Sequence, residues 1–444
     1  MAYQHKETLT LQRPAASGSV PYPASYFLNP PVHPIILMVR FILLFISCLF
    51  IPSSLFAQLD SLVFGMEQPF VDPARRGELQ LQMEGMPFVL DNEYKSKLVK
   101  GYTLPGMWLD PTVSYQPLPN VKFSLGAHML HFWGAEKYPN FNYSELASWN
   151  GRNIQNGFHC VPIFRAQMQL TRNLNIILGT LHGKSNHGLI APLYNDELNL
   201  SGDPETGVQV IWESPHFRLD SWVNWESFIF RKDTGQESFS FGLSTRVRPS
   251  GKEAVWQWYM PIQAVFQHRG GEINTEATDR EVKTWLNAAA GVGVDVPLRM
   301  RWPASLNMEA TMAYFGQQAG ALLPFDKGYG VLGKASLRVW RCKLGIGYWH
   351  CKDFVSILGS PLYGAMSISN EGITLRKPQS LLVDAEYAQR LGEGFAWGIQ
   401  IKLLNQFATR SHSSEEGWKE EKATQNFSFG IFLRMSPSFL LKKF

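Results

Sequence analysis

The sequence predicts an all-β fold, a closed antiparallel transmembrane β-barrel of about sixteen strands with short periplasmic turns and longer extracellular loops. Three observations predict it. A period-two alternation of apolar and polar residues recurs through most of the 444-residue chain. The connections between alternating runs switch between tight and long, and an export signal precedes the first run.

Composition agrees with two solvents rather than one. Hydrophobic residues make up 45%, aromatics 13% and charged residues only 18%, the last below the roughly 25% of soluble domains. Mean hydropathy is nevertheless only -0.14, and past residue 57 no apolar run approaches the ~20 residues of a transmembrane helix. Strands are left to do the crossing.

Residues 35–55 are the one sustained apolar stretch and read as a secretory signal: Met38, Val39 and Arg40, an apolar core over 41–51, the breaker Pro52, then small residues ending at Ala57. Cleavage is expected after Ala57. Residues 1–37, rich in proline, fit no signal n-region and read as a mis-called upstream extension, with Met38 as the initiator. An uncleaved anchor is the alternative. Cleavage removes Lys6, Arg13 and Arg40 with Glu7, so the formal charge falls from +4 to +2. That gives no electrostatic case for nucleic acid.

The mature chain divides into a periplasmic N-terminal segment over 58–77, the barrel over 78–436 and a tail over 437–444. Strands are read near 78–86, 107–116, 121–132, 160–171, 174–182, 207–214, 217–229, 238–248, 254–267, 282–296, 305–316, 329–341, 343–353, 379–390, 395–406 and 425–436. Along 255–267, Trp256, Trp258, Met260, Ile262, Ala264 and Phe266 share one face, and Gln257, Tyr259, Gln263 and Gln267 the other. Leu286, Ala288, Ala290 and Val292 likewise oppose Asn287, Gly291 and Gly293. Charges keep to one face.

A soluble sandwich also alternates, so connection length decides. Tight links such as 117–120, 172–173 and 391–394 alternate with long ones such as 133–159, 183–206 and 354–378. Closure has a physical cause, because hydrocarbon offers no partner to the polar groups of an open sheet edge.

Signal, dyad repeat, alternating connections and the aromatic terminus Phe444 together resemble the porin-like outer-membrane β-barrels of Gram-negative bacteria. The resemblance covers residues 58–444 and is one of architecture. Pro437 and the pair Lys442 and Lys443 depart from it by interrupting the last strand. It implies an outer-membrane location, with the outer-membrane lipid and the barrel-assembly machinery as partners.

Candidate pore-lining residues are Lys122, Arg165, Arg218, Asp220, Glu226, Arg246, Arg248, Glu309, Lys334, Arg338, Asp384, Glu386, Lys402 and Arg434. They line a lumen for small hydrophilic solutes, or pair across it and stiffen a filled barrel. Aromatics such as Tyr115, Trp133, Trp225, Tyr348 and Trp397 suit interfacial girdles, while Trp108 points inward by parity.

His182 and Ser185, with Asn186 beside them, hint at a lipid hydrolase. Three residues apart on a strand they face opposite sides, so only a bend joins them. His128 and His131 also differ in parity. No metal ligand set, cofactor motif or catalytic constellation is read, and Cys160, Cys342 and Cys351 form no disulfide framework, since the last two stand about 30 Å apart on one strand. The expectation is a non-enzymatic, passive porin-like channel. The alternatives are a plugged structural or surface-assembly barrel acting through its loops, and a lipid-acting outer-membrane enzyme.

Overall fold

The computed structural model describes residues 60–65, 69–133, 159–228, 236–251, 253–271 and 281–444. Every run of alternation becomes a strand: β1 (Glu78–Glu93), β2 (Tyr102–Leu118), β3 (Val121–Phe132), β4 (His159–Gln169), β5 (Leu174–Thr180), β6 (Thr206–Glu213), β7 (Phe217–Ser227) and β8 (Ser238–Val247). The wall continues with β9 (Gln257–Arg269), β10 (Lys283–Leu298), β11 (Ala304–Ala319), β12 (Lys327–Val339) and β13 (Cys342–Lys352). A short strand β14 (Thr374–Arg376) lies outside it, followed by wall strands β15 (Gln379–Gly392) and β16 (Phe395–Gln406). Each wall strand pairs antiparallel with the next, and β1 closes the ring against β19 (Thr424–Met435). The wall is a sixteen-strand closed barrel whose last strand is made in two pieces.

Pro437 explains the two pieces. It has no N–H for the ladder, so β19 stops at Met435 and pairing with β1 resumes as β20 (Ser438–Lys443), from Gln82↔Ser438 to Glu78↔Lys443. The tail expected over 437–444 is therefore corrected to a strand. Phe444 N–H donates to Gly77 O at 2.9 Å, and its ring meets Tyr115 edge-on at 5.7 Å. Gly77 has φ of 78°, and a Cβ there would lie 2.5 Å from Phe444 O, so the seam admits only glycine.

The outward face is apolar and wet by nothing in the chain. Val89, Val113, Leu125, Phe164, Leu178, Phe241, Ile262, Met312, Ile346 and Ile431 are all exposed, Leu125 at 65% and Met312 at 64%. Register joins them side by side, as in Val113↔Leu125, Leu125↔Phe164 and Val89↔Ile431. A belt this continuous is a lipid surface rather than a soluble one. Cys342 and Cys351 sit on the one strand β13 with no disulfide between them.

Two long links carry structure that period-two reading left as loop. β17 (Thr409–Ser413) and β18 (Gly417–Glu421) form a hairpin that β14 joins, a small separate sheet beyond the wall. The long link 133–159 lies almost wholly outside the described residues.

Other links turn into the lumen. Loop residues Val99, Leu193, Phe354, Val355, Ile357 and Leu362 pack on the inward wall residues Trp285, Phe315, Leu332, Trp349, Leu382 and Leu404 to form an apolar core at the extracellular half. Buried wall polars hold these loops: Asn287 donates to Val355 O at 2.8 Å and accepts from Ile357 N–H at 2.9 Å, and Gln263 likewise bonds Ile190 and Gly188. The N-terminal segment also differs from a periplasmic lead. Phe64 meets Phe432 inside the barrel at 4.9 Å, and Pro69 O accepts from the inward side chains of Gln167, at 2.6 Å, and Asn175.

Candidate functional site

Thirteen of the fourteen predicted lumenal residues fall on the inward parity of their strands, Arg248 stands just past the end of β8, and the structure ties most of them to the protein. Arg434 bonds Glu84 at 2.7 Å, Lys334 bonds Asp384 at 3.1 Å, and Lys402 bonds Asp196 of the loop 181–205 at 2.7 Å. Glu386 is held by Lys343 at 2.9 Å, and Glu226 accepts from Ser238 and Gln267. Arg218 donates to Asn186 O, and Arg165 to Thr180 O and Leu181 O. Glu309 accepts from Tyr259, whose ring lies under Arg246 at 4.0 Å. Arg248 and Arg338 each keep a buried nitrogen with no partner.

Cavities remain among the described residues. One of about 400 Å³ is lined by Lys334, Asp384, Glu386, Lys402 and Glu309 from the wall with Asp196 and Tyr363 from the loops. A smaller one, about 70 Å³, lies among Trp108, Asp110, His128, Arg165 and Arg434 under the loop 181–205.

Hydrolytic chemistry needs a nitrogen base with one free nitrogen facing a nucleophile. The predicted pair does not supply it. The chain does bend at Lys184–His187, yet Ser185 Oγ donates to Phe64 O at 3.1 Å and both ring nitrogens of His182 are buried without a partner. Burial, with Arg165, Lys122 and His187 nearby, holds the His182 ring well below the usual imidazole range.

His187 is saturated instead. Its Nδ1 lies 2.9 Å from Asp220 and its Nε2 2.7 Å from Glu205, with the ring stacked on Trp222 at 3.4 Å. Burial alone would lower its pKa, but the carboxylates of Asp220 and Glu205 outweigh that and push it up to about 9. It is a charged clamp between the wall and the loop, with no nitrogen left for a substrate.

Two further histidines are better disposed. His128, which parity separates from His131, meets Asp110 across the β2–β3 ladder, Nδ1 to Oδ1 at 2.6 Å, leaving Nε2 buried and unpartnered. His268 stands on the outward face at the extracellular end of β9, where Nδ1 lies 2.9 Å from Thr284 Oγ1 on β10, its direct cross-strand neighbour. Phe239 flanks His268 at 5.1 Å and stacks on the exposed Trp225 at 5.5 Å. An imidazole and a buried hydroxyl thus meet on the outward parity of the wall, beside an aromatic shelf. The signal was available in sequence: His268 continues the apolar parity of Trp258 to Phe266, and Thr284 that of Leu286 to Val292.

A sixteen-strand ring with an unbroken apolar belt is a porin-like outer-membrane β-barrel. The chain belongs to the lipid A 3'-O-deacylase-type family, whose sequence pattern matches residues 71–444. That is an enzyme family, and the match overturns the expectation that the chain is not an enzyme. No curated protein matches the chain in sequence. Among solved structures it is similar to OccK8 (OprE) of Pseudomonas aeruginosa, at 12% identity over 82% of this chain and 99% of that one, with a TM-score of 0.45. OccAB2 of Acinetobacter baumannii matches at 9% identity over 81% and 98%, TM-score 0.45. The trimer form of OmpT of Vibrio cholerae matches at 10% over 81% and 100%, TM-score 0.43. Likeness at this level speaks to no function.

Proposed function

We propose that the protein is an outer-membrane hydrolase that removes an ester-linked acyl chain from lipid A, and that, after export and cleavage near Ala57, it works at the outer leaflet. The carrying observation is the His268–Thr284 pair, on the outward parity of the wall at the extracellular rim with the Thr284 side chain buried; membership of the deacylase-type family supports the same reading. The substrate ester lies outside the wall, so the reacting groups must face outward at that rim. In this reading the Thr284 hydroxyl attacks the acyl carbonyl while His268 Nδ1 takes its proton. The bond between the acyl carbon and the sugar oxygen then breaks, the proton passes from His268 to the leaving sugar alkoxide, and water cleaves the acyl-threonine.

The loops packed inside the barrel weigh against a passive channel for small polar solutes. On this reading the fourteen inward residues serve as a scaffold more than as a pore lining.

The test is mass analysis of lipid A incubated with the purified full chain. Loss of one acyl chain is expected from the native protein. His268→Ala should cut the rate about 10²–10⁴-fold, the range of a general base, and Thr284→Val should do at least as much. Undiminished deacylation by His268→Ala would remove the assignment, and ion conductance through the native barrel without any lipid turnover would favour the channel.

A further inference from the structure

We infer that the small lumenal cavity beside Trp108 and Arg165 is a binding site for a single oxyanion group, a phosphate or a carboxylate. Nothing in the hydrolytic reading uses this site, and the inference does not depend on that reading.

Three observations carry it. The first is an indole with nothing to do. Trp108 lines the cavity, is 93% buried, and its Nε1–H is buried with no acceptor among the described residues. Because indole nitrogen only donates, the missing partner must be an acceptor. An orphaned buried donor costs about 1–3 kcal/mol, which a ligand oxygen would recover.

The second is the charge arrangement. Each carboxylate facing the cavity already has a basic partner: Glu84 has Arg434, Asp110 has His128, and Glu205 has His187. Arg165 makes no direct ion pair among the described residues, although the Glu84 and Asp110 carboxylates stand close enough to act on it. Its guanidinium donates through Nε to Thr180 O at 2.7 Å and through Nη2 to Leu181 O at 3.0 Å, both uncharged carbonyls. A guanidinium held in place by carbonyls keeps its fork geometry, which suits phosphate and carboxylate alike.

The third is His128. Its ring lines the same cavity, and with Nδ1 held by Asp110 its Nε2 is left buried without a partner. The cavity measures about 70 Å³. A single water needs only about 10–15 Å³ on the same scale, so several oxygen-sized groups fit and a bulky headgroup does not.

The experiment uses the full chain refolded in a maltoside detergent, which carries no phosphate. Calorimetric titration with sodium phosphate and with sodium acetate is run against sodium chloride at matched ionic strength. Saturable binding of at least one oxyanion is expected. Trp108→Phe keeps the ring and removes the donor, so it should weaken binding about tenfold or more, the worth of a hydrogen bond to a charged group. Arg165→Met should abolish it; if that variant fails to fold, Trp108→Phe decides. Phosphate binding without acetate assigns a phosphate group, and the converse a carboxylate. No saturable binding of either, or Trp108→Phe binding as the native chain does, overturns the inference.

Discussion

The two halves of the lumen are closed by different physics. Toward the extracellular loops the interior resembles a soluble core, with Trp285, Phe315, Trp349 and Phe354 all nearly inaccessible and packed on one another or on loop residues. Toward the periplasm it is polar: Glu84 with Arg434, Lys343 with Glu386, and the Tyr259, Asn307, Glu309 and Asp295 network span it instead. Apolar packing is tolerant and lets loops dock as a plug. Buried charge is intolerant, because each group depends on its partner. The difference teaches that this barrel is filled twice over, by burial above and by pairing below.

Breaking the lower arrangement should have the largest effect. Arg434 and Glu84 are 5% and 7% exposed and 2.7 Å apart. Arg434→Leu leaves Glu84 buried without its cation, at a cost of about 3–5 kcal/mol. Urea titration of the refolded barrel in detergent measures it. The double variant Arg434→Leu with Glu84→Leu should regain much of the loss, and a double variant as unstable as the single would show that the pair is not the cause.

The clamp at His187 joins the loop 181–205 to the lower wall and should come next. Its pKa of about 9 stands above the ordinary 6.5. The stabilisation is therefore complete below about pH 6.5 and is lost as pH rises through about 9, on the order of 3 kcal/mol in all. Protease nicking within 181–205 should increase between pH 8 and about 10 in the native chain. In His187→Gln nicking should be raised at every pH and show no such step; an identical step in that variant would assign the transition to another group.

The wall was legible in sequence because its cause is local. Lipid on one side and protein on the other impose period two on each strand, and Phe239, Phe241 and Leu243 or Phe427, Phe429 and Ile431 show it without any partner. The filling was not, because its contacts are between distant segments. Nothing near Asn287 announces that it holds Val355 and Ile357, 68 and 70 residues away. Nor does His128 announce Asp110, since only the β2–β3 register brings them together. The rim pair stands between these cases: the parity of His268 and Thr284 is readable, but their contact needs the β9–β10 pairing. Pro437 was correctly a break, yet a proline ends a hydrogen bond rather than a strand, and β20 resumes beyond it.

The smallest expected effect tests the upper half. Asn287 is fully buried and its amide both donates to Val355 O and accepts from Ile357 N–H, so one side chain satisfies two backbone groups of the 354–378 link. Asn287→Ala removes both bonds and leaves the wall intact. Its cost is about 1–3 kcal/mol, and it should fall on loop docking rather than on the barrel. Hydrogen exchange at the amides of 355–357 should quicken, while those of β10 and β11 stay as slow as in the native chain. Exchange quickened equally in the two strands would mean that plug and wall unfold as one unit, and the contrast between a docked upper core and a paired wall would fail.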